Sequence, residues 1–175
     1  MTAKIFINKV SNSRKDFIEE FFGLLKRKKI KFCVIGGLAV NVYAEPVVSL
    51  DVDVAVVSEK IDDLTELLKK KFKVKTFEHS VNIAADYSDV RIQIQTDKRY
   101  QEYIKSARVK RVLGYGVPVA KIEDVLKGKI WAYSDKTRRP SKRQKDLADI
   151  MRLLEAEPGL ISLLPESLQR KIKKL

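Results

Sequence analysis

Two neighbouring stretches decide how this chain is read: Val34-Ile35-Gly36-Gly37-Leu38-Ala39, and Ser49-Leu50-Asp51-Val52-Asp53-Val54-Ala55-Val56-Val57. The first is an apolar run cut by a Gly-Gly pair. The second opens on two aspartates one residue apart and continues apolar. On a strand, residues i and i+2 share a face, so Asp51 and Asp53 project side by side. Two anions held together are costly unless something positive binds between them. A divalent cation meets that need, and aspartate oxygens suit Mg²⁺ or Mn²⁺. Gly36 and Gly37 offer bare backbone to a phosphate. A phosphate cradle beside paired carboxylates is the minimum equipment for phosphoryl or nucleotidyl transfer.

Composition narrows the alternatives. The chain has 175 residues and is 45% hydrophobic, enough for one compact unit. No apolar stretch is long enough to span a membrane, and Met1-Thr2-Ala3-Lys4 lacks the apolar core of a signal peptide, so a cytoplasmic protein is expected. Cys33 is the only cysteine and His79 the only histidine. That excludes a disulfide framework and His-pair metal sites, and it disfavours a Ser-His-Asp triad. The net charge is +13, unevenly spread. Residues 1–97 carry 16 Lys and Arg against 14 Asp and Glu, whereas residues 98–175 carry 20 against 9. The carboxylate pair therefore lies in a near-neutral half, read as the core, beside a basic half packed on it. A cationic surface beside a carboxylate site suggests a polyanionic substrate.

Periodicity gives the elements. Ser13 and Asp16 resemble a capping box before a helix carrying Phe17, Phe21, Leu24 and Leu25. Phe32 to Ile35 reads as a buried strand, Leu38 to Ala44 as a short helix and Asp51 to Val57 as the next strand. Ser58 is placed as the N-cap of a helix with Leu64, Leu67 and Leu68. Phe72 to Phe77 reads as a strand, and Val81–Ala85 with Val90–Gln95 as a hairpin. In the latter strand Val90, Ile92 and Ile94 share one face, and Arg91, Gln93 and Gln95 the other. The second half is expected to be mainly helical: a short helix over Tyr100–Ala107, an extended segment over Val109–Val119, and helices near 122–134 and 143–156. Between these last two lies a solvated basic loop, followed by a short helical tail.

A Rossmann reading fails in detail. Leu38, Ala39, Val40 and Asn41 follow Gly37, so Gly-x-Gly-x-x-Gly is absent. Asp51 and Asp53 also open their strand, whereas a ribose-binding acid should end it. No Gly-Lys-Ser/Thr marks a Walker loop.

Three ordered blocks instead resemble the nucleotidyltransferase-fold superfamily, in particular small prokaryotic proteins related to abortive-infection and toxin nucleotidyltransferases. They are Gly36-Gly37 followed by Asp51-Val52-Asp53, then Glu123-Asp124-Val125 leading to Lys129-Ile130-Trp131-Ala132, then Lys145-Asp146-Leu147-Ala148-Asp149-Ile150. The resemblance implies an α/β core with a short mixed β-sheet flanked by helices, plus a C-terminal helical region. It implies a nucleoside triphosphate as substrate, with Asp51, Asp53 and Lys129 as catalytic residues: Asp51 and Asp53 hold Mg²⁺, Gly36, Gly37 and Ser49 meet the nucleotide, and Lys129 lies near its phosphates. Asp146 and Asp149 are secondary candidates with Lys145, and read structurally they would pair with Lys142, Lys145 or Arg152. Arg138, Arg139, Lys142 and Arg143 are candidates for contacts with an RNA acceptor.

Two departures qualify this. Relatives often carry Arg-x-Thr-x-Asp where this chain has Val47 and Ser49. Active members also carry a third carboxylate on a later strand, aligned here with Gln93, for which Asp89 is the nearest substitute. The rival expectation is therefore a degenerate binding or antitoxin-like protein, partner to a toxin.

Overall fold

A computed structural model describes residues 1–174. Seven strands form one mixed sheet in the order β3-β4-β5-β2-β1-β7-β6. They are β1 (Phe32–Ile35), β2 (Asp51–Val56), β3 (Lys73–Phe77), β4 (Ser80–Ala85), β5 (Ser88–Gln95), β6 (Arg108–Val112) and β7 (Tyr115–Val119). The helices are α1 (Ala3–Val10), α2 (Phe17–Arg27), α3 (Gly36–Tyr43), α4 (Ile61–Lys69), α5 (Gln101–Ser106), α6 (Ile122–Ser134), α7 (Pro140–Ala156) and α8 (Glu166–Ile172). The α/β class, the mixed sheet and the flanking helices match the sequence reading. Among the described residues no helix is long and apolar enough to cross a membrane.

The centre of the sheet follows from its apolar content. β1 is buried at all four positions between β2 and β7, the pattern of a strand covered on both faces. β2 runs antiparallel to β1 and parallel to β5, with Asp53 opposite Ile35 on one side and Gln93 on the other. Residues directly opposite each other point to the same face. Val52, Val54, Ile92 and Ile94 therefore lie together on one face, fully buried. Phe22 of α2 closes that face by stacking on Phe32 at 5.6 Å. Asp51, Asp53, Arg91 and Gln93 share the opposite face. The register continues outward: Gln93 faces Asn82, Asn82 faces Lys75, and Arg91 faces Ala84, which faces Lys73. One polar row thus runs from Asp53 to the sheet edge.

Several local expectations need correction. Asp16 is itself the N-cap of α2, accepting the Glu19 N–H at 2.9 Å, while Ser13 hydrogen-bonds Ser11 and Ser88. An aspartate immediately before the first helical residue reaches the free N–H groups directly. Ser58 opens a 3-10 turn, and α4 starts only at Ile61. The segment read as merely extended after residue 108 is a hairpin, and β7 pairs parallel with β1. The sheet thereby runs on past residue 98. α7 begins at Pro140, three residues earlier than expected, because proline is well placed in the first turn, where no N–H partner is needed. α1 was not anticipated; it buries only Ile7.

Both sheet edges are cationic. β3 exposes Lys73 and Lys75, and β6 exposes Arg108, Lys110 and Arg111. Charged edge strands resist pairing with other chains, so part of the +13 protects the sheet edges.

Candidate active site

The site forms where β1 turns into α3. Gly36 has φ +66°, a left-handed conformation that side chains rarely adopt. A Cβ at this position would lie 2.2 Å from Asp53 Oδ2 and 2.9 Å from Asp53 Cγ. Glycine is therefore required twice over, by the turn and by the close approach of the Asp53 carboxyl. Gly36→Ala should cost about 2 kcal/mol from the backbone and the clash together. It should lower the urea midpoint, and a midpoint matching wild type would refute the packing argument. Gly37 is open, with nothing near the place of a Cβ. Ile35, the N-cap of α3, gives no side-chain hydrogen bond, so the first N–H groups of this eight-residue helix stay available.

Asp51 is part-exposed and pairs with Arg91 Nη2 at 2.8 Å, with Lys142 Nζ at 3.8 Å. The Arg91 side chain is 70% exposed, so this pair is weak and a bound cation can displace it. Asp53 is more enclosed. Burial raises its pKa above the ordinary aspartate value, the neighbouring Asp51 adds to the rise, and Lys129, Arg138 and Lys145 oppose it. Ser49 accepts the Asp51 N–H at 3.2 Å, which shapes the entry to β2.

Lys129 is buried to 8% exposure. Its ammonium lies 3.0 Å from Asp146 Oδ1 and 2.6 Å from Asp149 Oδ2. Burial alone would lower its pKa, but Asp149 and Asp146 outweigh that and raise it. Arg138 Nε reaches the second oxygen of Asp146 at 2.8 Å, and Arg152 Nη1 reaches Asp149 Oδ1 at 2.7 Å. Of the structural partners expected for the two aspartates, Arg152 pairs with Asp149 alone; Asp146 is held by Lys129 and Arg138 instead, and Lys142 turns to Asp51. Arg152 also donates to Asn41 Oδ1 at 2.8 Å and to the Glu45 carbonyl, tying α7 to the loop that leads into β2.

The remaining candidates separate. Arg143 donates to the Tyr133 carbonyl at 2.8 Å, and Arg139 is exposed as the residue before α7. Lys142 and Lys145 line the cleft. Gln93 lies beside Asp53 on the neighbouring strand. Asp89 does not join them: it accepts from Asn12 at 2.6 Å, and four residues of strand place it about 13 Å from Gln93. Its strand parity is right but its distance is not. Cys33 is buried, and burial together with Asp124 pushes its thiol up to about 12, as suits an inert core residue.

Two cavities meet at Asp53, Gln93, Lys129, Arg138 and Asp146. The smaller, of about 450 Å³, extends over the polar row of the sheet. Seven cations line it against three carboxylates. The larger, of about 610 Å³, runs under α5 and α6 and is walled by Tyr100, Tyr103 and Trp131. Tyr100 and Tyr103 are three residues apart, Trp131 lies far from both in sequence, and no motif links it to them.

The donor set suits a cation that arrives with its substrate. Among the described residues no three His, Cys, Asp or Glu side chains are grouped as metal ligands. Asp51 and Asp53 supply two carboxylates, and Mg²⁺ is commonly held by one or two carboxylates plus water and substrate phosphates. The residues fit a cation shared with a triphosphate better than a closed protein cage.

No family model matches this chain, and no curated protein matches it in sequence. Solved structures do match. The antibiotic-resistance factor ANT(2'')-Ia superposes with TM-score 0.60 at 11% identity, over 90% of this chain and 89% of that one. Lincosamide antibiotic adenylyltransferase LnuA, lincomycin-bound, gives 0.54 at 11% identity over 81% and 99%. An antigenic nucleotidyltransferase-like protein from Paracoccidioides brasiliensis gives 0.54 at 18% identity over 79% and 73%. The chain has the nucleotidyltransferase fold.

Proposed function

We propose that the chain transfers a nucleoside monophosphate from a nucleoside triphosphate to an acceptor hydroxyl. The observation that carries this reading is the packing of Gly36 against Asp53, with Asp51 alongside and the cationic cavity beyond. A divalent cation bound with the nucleotide would offset charge on the transferring phosphoryl group. Asp51 and Asp53 would hold it. The N–H groups at the start of α3 would donate to phosphate oxygens, and Lys142, Lys145 and Arg91 would meet their charge. Lys129 acts indirectly in this scheme: its charge is already matched by Asp146 and Asp149, so it sets the field at Asp53 and fixes α7 against α6. The fold shared with ANT(2'')-Ia and LnuA supports the reaction class. The test is incubation with each of the four α-labelled nucleoside triphosphates, Mg²⁺, and cell extract containing RNA, protein and small molecules. Transfer of label is expected from at least one; no transfer from any, with a verified adenylyltransferase active in parallel, overturns the proposal.

A second reading rests on Gln93. A carboxamide coordinates through its oxygen but brings no negative charge and accepts no proton. It stands where active relatives carry an acid, so the chain would bind nucleotide without turnover, as a degenerate or antitoxin-like partner. Gln93→Asp separates the two. A gain of about tenfold or more in transfer is the expected result on the degenerate reading. Wild-type turnover that Gln93→Asp does not improve favours the enzyme as it stands.

A further inference from the structure

We propose that the end of the sheet remote from Asp53 is a docking surface for the phosphate backbone of a nucleic-acid duplex. This goes beyond the transfer reading and does not depend on it.

Two segments far apart in sequence build the surface. The first is Lys26-Arg27-Lys28-Lys29-Ile30-Lys31, which ends α2 and leads into β1; the second is Arg108-Val109-Lys110-Arg111 of β6. Neither contains an acid. The fold joins them through β7. Lys26 Nζ donates to the Gly116 carbonyl at 3.0 Å, and Gly116 stands opposite Arg111 in the hairpin. Lys31 lies at the same end, because β1 follows it directly and runs beside β7. Arg27 is set apart, since it turns back over Gly23. The other cations are exposed, and none forms an ion pair among the described residues. What they touch is neutral: Arg108 donates to the Ser106 and Ala107 carbonyls at 3.2 and 3.0 Å, and Lys110 lies over the Tyr43 ring at 5.3 Å.

The basic loop beside the cleft differs. There Arg138 is held by Asp146, Lys142 faces Asp51 and Arg143 donates to the Tyr133 carbonyl. Protection of the sheet edge accounts for a charged β6, but not for Lys28, Lys29 and Lys31, which lie off the edge strand. The helix dipole favours cations in the last turn of α2, yet Lys29 and Lys31 lie past it.

Lys29 gives a second, independent sign. It has φ +53°, the left-handed position that follows a helix and ordinarily carries glycine. The helix end imposes this conformation: the Lys29 N–H closes on the Lys26 carbonyl and the Ile30 N–H on the Leu25 carbonyl, each at 3.0 Å. A lysine holds it at a cost that glycine avoids. Its exposed side chain meets nothing within the chain that offsets this cost.

The partner follows from what the surface lacks. Val109 is the one large apolar side chain exposed in either segment, too little to enter a bilayer. Tyr115 is buried and Lys110 covers the Tyr43 ring, so no ring is free to stack on an unpaired base. An acidic protein would need apolar and hydrogen-bonding groups between its charges, and the surface offers few. Cations alone match a stiff polyanion of uniform, dense charge, and contacts to phosphates hold it without reading sequence. Lys31 precedes β1 and Gly36 follows it, about 16 Å apart along the strand, so a bound duplex lies away from the transfer site.

The test is fluorescence anisotropy, without nucleotide and over a range of salt concentrations, with a labelled RNA duplex of about 20 base pairs. A DNA duplex of equal length should bind comparably, and a single strand, poly-glutamate and anionic phosphatidylserine vesicles more weakly. Lys28→Gln, Lys29→Gln and Arg111→Gln together should lower the slope of log affinity against log salt by about 2–3. Lys136→Gln with Arg139→Gln, in the loop beside the cleft, should leave that slope unchanged. Lys29→Gly should weaken duplex binding about three- to tenfold while raising Tm by about 1–3 °C. A merely solvated lysine would raise Tm on this change and leave binding alone, which overturns the proposal. So does a triple variant with the wild-type slope, a loss of slope in the loop variant instead, or a single strand, poly-glutamate or vesicle bound as tightly as the duplex. Absence of duplex binding by wild type overturns it as well.

Discussion

Replacing Lys129 with methionine should destabilise the protein by about 3 kcal/mol, the scale of breaking a buried ion pair from one side. Two carboxylates meet its ammonium, and both are nearly inaccessible: Asp146 is 2% exposed and Asp149 is 3% exposed. Arg138 and Arg152 would each still hold one of them, which keeps the cost toward the lower end of the range. The loss should appear as a lower urea midpoint and a Tm lower by about 6–12 °C for a chain of this size. Adding Asp146→Asn and Asp149→Asn to Lys129→Met should recover part of it, because the stranded charges disappear with their partner. The folded pKa of Lys129 is raised above its ordinary 10.5, so its contribution is complete below that value and is lost only as pH rises through the raised one. The destabilisation should therefore be flat across neutral pH. A Lys129→Met protein within about 0.5 kcal/mol of wild type would mean that the lysine is an ordinary solvated residue.

How much of this was legible in the sequence depended on whether a signal was local. β2 and β5 announced themselves by alternating apolar and polar positions; strand parity put Gln93 on the polar face of β5, and only the family resemblance related it to Asp53, a placement that rests on the β2–β5 register. The Gly-Gly pair was legible as a turn, but not the clash that makes Gly36 indispensable, because Asp53 reaches it only through the antiparallel register of β1 and β2. The β6–β7 hairpin was hidden for two reasons. Most of β6 is exposed and charged, as an edge strand should be, and Pro118 in β7 reads as a breaker when taken alone. α1 was missed because a single buried residue, Ile7, gives no periodicity. The destination of Lys129 was half visible. Ile122, Val125, Leu126, Ile130 and Tyr133 form an apolar stripe that Lys129 borders, which pointed it inward, yet sequence carried nothing to say that Asp146 and Asp149 on another helix would neutralise it. The aromatic cavity was not legible at all: Tyr100 and Tyr103 are local neighbours, but they meet Trp131 of α6 only through tertiary packing.

Asp53→Asn should raise stability and remove activity together. The Asp53 carboxylate is enclosed by Gly36 and the sheet, and burial raises its pKa more than the nearby cations lower it. A carboxylate with a raised pKa contributes most to stability below its ordinary value of 3.8, and that contribution is lost as pH rises through the raised value. At neutral pH the ionised group is a net cost in the ligand-free protein. Asparagine has nearly the same shape and no charge to desolvate, so the variant should melt higher at neutral pH. The two proteins should converge in acid, where wild-type Asp53 is itself neutral. The function of the strained charge is to be matched by what binds. A Mg²⁺–triphosphate complex should therefore raise the Tm of wild type and leave that of Asp53→Asn almost unmoved. Transfer should fall by about 10²–10³-fold or more, the range for losing one contact to charge developing in the transition state. Melting curves from acid to neutral pH, with and without the nucleotide complex, check the first part, and labelled transfer checks the second. If Asp53→Asn melted lower than wild type at neutral pH, the carboxylate would be a structural ion-pair partner of Lys129 and Arg138. The cost of holding two aspartates side by side on β2 would then have been met by the protein itself, with no need of a bound cation.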